Sequence, residues 1–224
     1  MDAACAVQPS ESYRVAAVLA VTGGFLDAYT YVCRDGVFAN AQTGNFCRMA
    51  ISLANGQLLL VVRYLIPILS FVLGVSLAML LRRRFSNCRR LHWRQVNVLV
   101  EIALLTVVAL IPDGAVTNVA ANVLVSFTCA VQVETFRKFL GGAFASTMCT
   151  GNLRSASENL NNYLVRGDPA LRRRSLQYFG IDLLFVAGVT LGTWCTGRFG
   201  LRAVLLCCAL LLAAFWMMRA PKKN

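Results

Sequence analysis

Long apolar runs constrain this chain more than any other feature. Only 14% of its 224 residues are charged, and 58% are hydrophobic, whereas a soluble domain usually carries about a quarter charged residues. A helix needs about 20 apolar residues to cross the hydrocarbon core. A single segment can cross it only as a helix, because all backbone hydrogen bonds are then made within the segment. The sequence therefore predicts an all-α polytopic membrane protein with six transmembrane helices, near residues 13–33, 61–81, 96–111, 116–134, 176–195 and 201–218.

The basic residues lie mainly between these runs. A net charge of +12 would also suit a nucleic-acid partner, but six spans place seventeen of the 22 Lys and Arg residues on one side. Such an asymmetry is typical of cytoplasmic loops. We therefore predict that both termini are cytoplasmic and that the charges contact membrane lipids, with no nucleic-acid partner.

Two segments of the chain carry nearly the same motif. Residues 36–45 read GVFANAQTGN and residues 142–152 read GAFASTMCTGN. A second pair, Phe71–Leu77 and Phe185–Leu191, follows in the same order. Because three spans are an odd number, a repeated unit of three must enter the membrane upside down, as in a 3+3 inverted-topology repeat. We expect a disordered tail at 1–12, a first repeat at 13–111, a second repeat at 115–218, and a basic tail at 219–224.

The motif segments, at 36–55 and 142–164, are predicted to be re-entrant half-helices. Apolar residues recur with helical spacing after Asn45, and ten helical residues cover about 15 Å, half the hydrocarbon thickness. Gly44 and Gly151 suit the turn that opens each half-helix, and Asn45, Asn152 or the preceding threonines suit its N-cap. The alternative is a polar surface turn that only shortens two helices.

Two half-helix N-termini that meet near the midplane would form a solute site with positive dipole ends. Arg48 and Arg154, close to each start, would attract an anion or else pair with carboxylates. The predicted solute-binding residues are Asn40, Gln42, Thr43, Gly44, Asn45, Thr147, Thr150, Gly151 and Asn152.

Carboxylates inside apolar spans are costly and usually functional. Asp27 lies deepest and is predicted to couple protons or gate the site; the alternative is an ion pair with Arg34, Arg48 or Arg154. For Glu101, Glu134 and Asp182, closer to the predicted span ends, we expect pairing or an interfacial position.

The sequence predicts no metal, no cofactor and no enzyme activity. It has one histidine and nine cysteines without a C-x-x-C pair, and it lacks G-x-S-x-G and H-E-x-x-H motifs. The favoured function is a transporter or channel for a small solute, with an anion as one candidate. The alternatives are a membrane scaffold or partner subunit, and an intramembrane enzyme acting on a lipid-type substrate. Solute identity and oligomeric state stay open.

Residues 24–31, GFLDAYTY, and the motif at 36–45 resemble the signature of the YoaK-like family, also called domain of unknown function 1275. The likeness continues through residues 71–75 and 150–152 to the sixth span. The second copy departs from the family pattern at Gln132-Val-Glu134. The resemblance implies a multi-pass protein of the bacterial inner membrane, and it implies no activity.

Overall fold

A computed structural model describes residues 8–86, 92–139, 142–144 and 146–219. Within these ranges the fold is helical, apart from one antiparallel pair of two-residue strands, β1 (Lys138–Phe139) and β2 (Gly142–Ala143). Short 3-10 helices occupy Pro9–Glu11 and Gly200–Val204. The α-helices are α1 (Tyr13–Cys33), α2 (Gln42–Ala54), α3 (Leu58–Phe85), α4 (Trp93–Leu110), α5 (Ala115–Thr135), α6 (Cys149–Arg166), α7 (Pro169–Phe199) and α8 (Leu205–Met217).

Five helical stretches of the described chain are long and apolar enough to cross a membrane: 13–33, 58–85, 93–110, 115–135 and 169–217. The last one is 49 residues long, about twice what a bilayer needs. Its α7 ends at Gly200, whose φ of 57° suits glycine. The prediction of an all-α multi-pass membrane protein is confirmed.

The contacts between helix ends give the direction of each long helix. We call the two ends of the bundle the Arg94 end and the Arg34 end, after a buried arginine at each. Helix α1 begins beside Glu11, which pairs with Arg94, and ends at its C-cap Arg34. Helices α4 and α7 run the same way as α1, whereas α3, α5 and α8 run the opposite way.

Glycine allows the closest helix contacts. The most extensive are those of α1 with α7 and of α3 with α5. A Cβ added at Gly24 of α1 would lie 2.1 Å from the carbonyl oxygen of Phe185 in α7, and one at Gly188 would lie 2.3 Å from that of Val21. In α3, a Cβ at Gly74 would lie 2.6 Å from the carbonyl oxygen of Phe127 in α5. Small residues at such contacts are typical of helix association in lipid.

Arg34 closes one end of the bundle. Its side chain is fully buried and donates to the Tyr29 hydroxyl, at 2.9 Å, and to Asn118 Oδ1, also at 2.9 Å. It also donates to three carbonyls at the end of α4, those of Val108, Ile111 and Pro112, at 2.8–3.1 Å. The last carbonyls of a helix lack intrahelical partners, so this guanidinium caps α4 and ties it to α1 and α5.

Arg94 closes the opposite end. It pairs with Glu11 at 2.8 Å, donates to the Thr135 carbonyl at 3.2 Å, and contacts the hydroxyl of Ser10 and the amide oxygen of Gln8. The prediction of a disordered tail is therefore wrong for residues 8–12, because these contacts order them. Residues 1–7, and residues 220–224 of the basic tail, lie outside the described ranges.

Candidate solute site at the meeting of the two motif segments

The first motif segment is attached to the middle of α1. The backbone N–H of Asn40 donates to Asp27 Oδ1 at 3.3 Å, and that of Ala39 donates to the Thr30 hydroxyl at 3.3 Å. Asp27 and Asn40 are both buried. The stretch between α1 and α2 is not helical, so its amides need side-chain acceptors of this kind.

The second motif segment meets the first one directly. The side-chain amide of Asn40 donates to the Thr147 carbonyl at 2.9 Å. Beside it, Gln132 of α5 donates to the Ser146 hydroxyl at 2.8 Å and to the carbonyl of Leu19 in α1 at 3.2 Å. The two segments, 107 residues apart at this bond, therefore share one buried hydrogen-bond network.

The start of α2 is held against α5. Gln42 donates to the Ser126 hydroxyl at 2.8 Å and to the Ala39 carbonyl at 2.8 Å. Asn45, also buried, donates to Gln42 Oε1 at 3.1 Å. Ser126 in turn donates to the carbonyl of Pro67 in α3. The polar side chains at the start of α2 thus contact α5 directly and α3 through Ser126.

The start of α6 is held by a different carboxylate. Asn152 is buried, and its side-chain amide donates to Asp182 Oδ1 on α7 at 3.2 Å. Asp182 is half-buried. The expected ion pair of Asp182 is not among the ion pairs of the described residues, and its partner at this position is the amide of Asn152.

Three buried polar atoms of the shared network have no hydrogen-bond partner in the described part of the chain. They are Asn40 Oδ1, Gln132 Oε1 and Thr147 Oγ1. Buried polar atoms are nearly always hydrogen-bonded. Two of the three can only accept hydrogen bonds, so this network can receive a water or a solute group that donates one.

Four predicted site residues lie outside this network. Thr43, Thr150 and Gly151 are exposed and Gly44 is half-buried. A Cβ at either glycine would meet no atom within 4 Å. The glycines are not opening turns, because each is the third residue of its helix with an ordinary backbone conformation.

The predicted N-caps are also wrong. The N-cap residues are Ala41 for α2 and Met148 for α6, and neither has a side-chain cap bond. Both helices begin three residues before the predicted Asn caps, at Gln42 and Cys149. The side chains of Asn45 and Asn152 instead donate to Gln42 and Asp182. With 18 residues, α6 is about 27 Å long, nearly twice the predicted half-helix.

The predicted cations and the other carboxylates have mixed outcomes. Arg48 donates to the Gly36 carbonyl at 2.8 Å, and Arg154 is exposed. Among residues that the structure describes, the ion pairs are Arg63–Asp35, Arg94–Glu11 and Arg137–Glu134. Asp27 is therefore not ion-paired within the described ranges, and Glu134 is paired as expected.

The expectation for Glu101 is wrong. It lies mid-way along α4, is fully buried, and neither carboxyl oxygen has a hydrogen-bond partner in the described ranges. Because Glu101 lies close to the end of the predicted span, we expected it near the membrane–water interface. In the structure α4 packs against α5 and α8. Burial depends on those neighbours and not on the position along the helix.

Sequence reasoning missed the contribution of α5. Gln132 and Ser126 join the two motif segments to the rest of the fold, yet neither was a candidate. A signal existed: the polar residues Asn118, Asn122 and Ser126 of α5 recur every four positions, which is the spacing of one helix face, and all three are buried.

The fold and this network define a multi-pass α-helical membrane protein with a polar interior at the meeting of two similar segments. The family model described as "Protein of unknown function (DUF1275)" matches residues 15–217. The chain therefore belongs to this family, as the motif at 36–45 indicated. No curated protein and no solved structure matched the chain.

Proposed function

We propose that this protein transports a small solute across the bacterial inner membrane, through a site at the meeting of the two motif segments. The observation that carries the proposal is the Asn40–Thr147 hydrogen bond, with unpartnered buried oxygens on both of these residues. A scaffold gains stability by satisfying such groups, whereas a transport site leaves them free for its solute.

The proposed architecture is a 3+3 inverted repeat, in which α1–α4 correspond to α5–α8. Gly74 and Gly188 occupy the same position in the two Phe-x-x-Gly-Val stretches. Gly74 packs on the carbonyl of Phe127, and Gly188 packs on that of Val21. Phe127 precedes Gly142, the first residue of the second motif, by as many positions as Val21 precedes Gly36, the first residue of the first motif. Equivalent glycines thus contact equivalent residues of the opposite half. The opposite directions of α1 and α5 also support inversion.

The proposed re-entry rests on depth. Gln42, the first residue of α2, contacts Ser126 near the middle of the 21-residue α5. A Cβ at Gly23, in the middle of the 21-residue α1, would lie 2.8 Å from the Ser146 carbonyl oxygen. Both segments therefore reach the middle of helices long enough to cross the bilayer.

The chemistry of the site favours a small oxyacid. The N-termini of α2 and α6 have no side-chain cap, and free helix N-termini favour anions. The free oxygens of Asn40 and Gln132 accept hydrogen bonds, so they favour a group that carries a proton. An oxyacid supplies both kinds of group, and Asp27, which binds Asn40, is the proposed proton-coupling or gating carboxylate.

The proposed orientation follows the charge asymmetry. The Arg94 end carries Arg82, Arg83, Arg84, Arg137 and Lys138 at the ends of α3 and α5. Basic segments favour the cytoplasmic side, so the Arg94 end would face the cytoplasm. The first described residues and the end of α8 lie at the same end, which supports cytoplasmic termini.

Flux measurements test the proposal. Purified full-length protein in liposomes that contain a pH-sensitive dye is challenged with a panel of small oxyacids, including acetate, formate and phosphate. We expect uptake of at least one oxyacid and a decrease of about 100-fold in Asp27→Asn, which is the lower end of the range for one lost general acid–base contribution. Glu158→Gln, an exposed change on α6, is the control.

The other functions predict different results in the same preparation. No flux together with a stoichiometric co-purifying protein would support a scaffold, and turnover of a lipid in detergent without a gradient would support an enzyme. Re-entry is tested separately by single cysteines at Asn40, Gln42 and Ser146 in a cysteine-free background, with Asn161 as the exposed control. Labelling of all four from one side at equal rates would exclude a shared interior site.

A further inference from the structure

A basic cavity of about 250 Å³ lies at the Arg94 end, apart from the proposed solute site. It is formed where α3 ends, α4 begins, α5 ends and the first 3-10 helix crosses them. The described residues that line it include four cations and two carboxylates. The cations are Arg82, Arg94, Arg137 and Lys138, and the carboxylates are Glu11 and Glu134.

A stacked aromatic forms one wall of this cavity. The guanidinium carbons of Arg82 and Arg94 each lie 5.3 Å from the ring centroid of Trp93. Cations within about 6 Å of a tryptophan ring are attracted to its face. Arg94 is buried and held by Glu11 and the Thr135 carbonyl, so the wall is ordered from its buried side.

The charges of the cavity do not balance. Glu11 is neutralised by Arg94 at 2.8 Å, and Glu134 faces Arg137 at 3.5 Å. Arg82 and Lys138 have no ion-pair partner within the described ranges. Two positive charges therefore remain over a concave surface.

His92 adds no charge of its own at neutral pH. Burial lowers the pKa of His92, and the positive charge of Arg94 lowers it further. Its Nδ1 accepts the backbone N–H of Arg94 at 3.3 Å, which requires a neutral ring nitrogen. The cavity thus combines two free cations, an aromatic wall and a neutral imidazole.

We infer that this cavity binds a phosphate group, supplied either by an anionic lipid headgroup or by a soluble phosphate compound. Guanidinium groups match phosphate geometry, and lysine serves as a point charge. The cavity lies at the ends of helices that cross the bilayer, where basic pockets between helices bind anionic headgroups. The inference does not depend on the proposed transport function, since none of its lining residues belongs to the solute site.

Trp93 fluorescence tests the inference. The full-length protein carrying Trp194→Phe and Trp216→Phe retains Trp93 as its single tryptophan. It is placed in phosphatidylcholine nanodiscs and titrated in one arm with phosphatidylglycerol, and in the other with inorganic pyrophosphate. We expect a saturable change in Trp93 emission in one arm, which also identifies the source of the phosphate.

Matched charge variants decide between a built site and general attraction. Arg82→Gln with Lys138→Gln removes the two free cations, and we expect affinity to fall about 100-fold, because each lost hydrogen bond to a charged group costs roughly tenfold in affinity. Arg83→Gln with Arg84→Gln removes the same charge from the same end without touching the cavity. Its affinity should fall much less, because exposed charges that do not line the cavity act only through attraction that salt screens.

Two results would overturn the inference. One is the absence of any saturable response in both arms, while thermal unfolding shows a folded protein. The other is an equal loss of affinity in the cavity variant and the Arg83/Arg84 variant, which would mean that only surface charge matters.

Discussion

In the proposed repeat, the regions α1–α4 and α5–α8 use the same glycine packing but different polar chemistry. Gly74 and Gly188 pack against the backbone of the opposite half at equivalent positions. The carboxylates are not equivalent. In the first half, Asp27 of α1 binds the backbone of Asn40, whereas in the second half Asp182 of α7 binds the side chain of Asn152.

This difference separates what holds the fold from what forms the site. Close helix contacts require small residues and tolerate no Cβ, whatever the function. The polar groups between the helices have only to satisfy one another, and several arrangements do so. If the proposed repeat is correct, its two halves differ at Asp27 and Asp182 while their glycine contacts are the same.

The largest expected effect concerns these glycines. Gly188→Ala should destabilise the protein by about 3 kcal/mol, the upper range for overpacking, because the new methyl would meet three backbone atoms of Val21 at 2.3–2.9 Å. Gly74→Ala should cost somewhat less, since one of its two closest contacts is the Ala130 methyl. Thermal unfolding in detergent measures both.

Gly197→Ala is the control for that prediction. It lies on the same helix as Gly188, and a Cβ there meets no atom within 4 Å. Replacing a helical glycine in open space should be neutral or stabilising by up to about 1 kcal/mol. Equal unfolding temperatures for Gly188→Ala and Gly197→Ala would contradict the close packing of α1 on α7.

A second prediction concerns the Arg34 end. Arg34→Lys leaves at most three donors for the Tyr29 hydroxyl, the Asn118 amide oxygen and three carbonyls. We expect a loss of about 2–3 kcal/mol, as for a lost hydrogen bond to a buried charged group. Chemical unfolding measures this loss, and the exposed Arg63→Lys, whose pair with Asp35 is half-exposed, should change stability by less than about 1 kcal/mol.

A third prediction sharpens the comparison of the carboxylates. Asp27→Asn and Asp182→Asn both keep an oxygen that can accept the native hydrogen bond, so each should alter stability by less than about 1.5 kcal/mol. Oxyacid flux should fall in Asp27→Asn and stay within about twofold of wild type in Asp182→Asn, because only Asp27 belongs to the shared network. A similar decrease in both variants would show that the two halves work alike.

The smallest effect concerns pH at the Arg94 end. The folded state lowers the pKa of His92 below its ordinary value near 6.5, so the unfolded state binds more protons when the pH falls below about 6.5. Stability is therefore complete above that pH and decreases below it. The free energy of unfolding of the wild type should decrease by up to about 1 kcal/mol, the contribution of an N-cap, as the pH falls from about 7 to about 5.5. Denaturant titrations at a series of pH values measure this decrease. His92→Asn, which caps without titrating, should show no such step.

The sequence predicted the helices well and the site only in part. Helix α1 has the predicted bounds, because the run from Tyr13 to Cys33 is mainly apolar and follows Ser12, which caps it. Asn40, Gln42, Asn45, Thr147 and Asn152 take part in buried or half-buried contacts, as expected from polar residues in an apolar chain. Thr43, Thr150 and Gly151 do not, since the chain begins each helix earlier and turns them outward.

By itself the sequence determined that the chain is a helical membrane protein that carries one motif twice, because apolar length and repeated motifs are properties of local stretches. Only the tertiary structure decided that Gln132 and Ser126 complete the polar network, that Glu101 is fully buried, and that Arg34 caps α4. Each of these depends on which helix lies opposite, and that is decided by contacts between residues far apart in the chain.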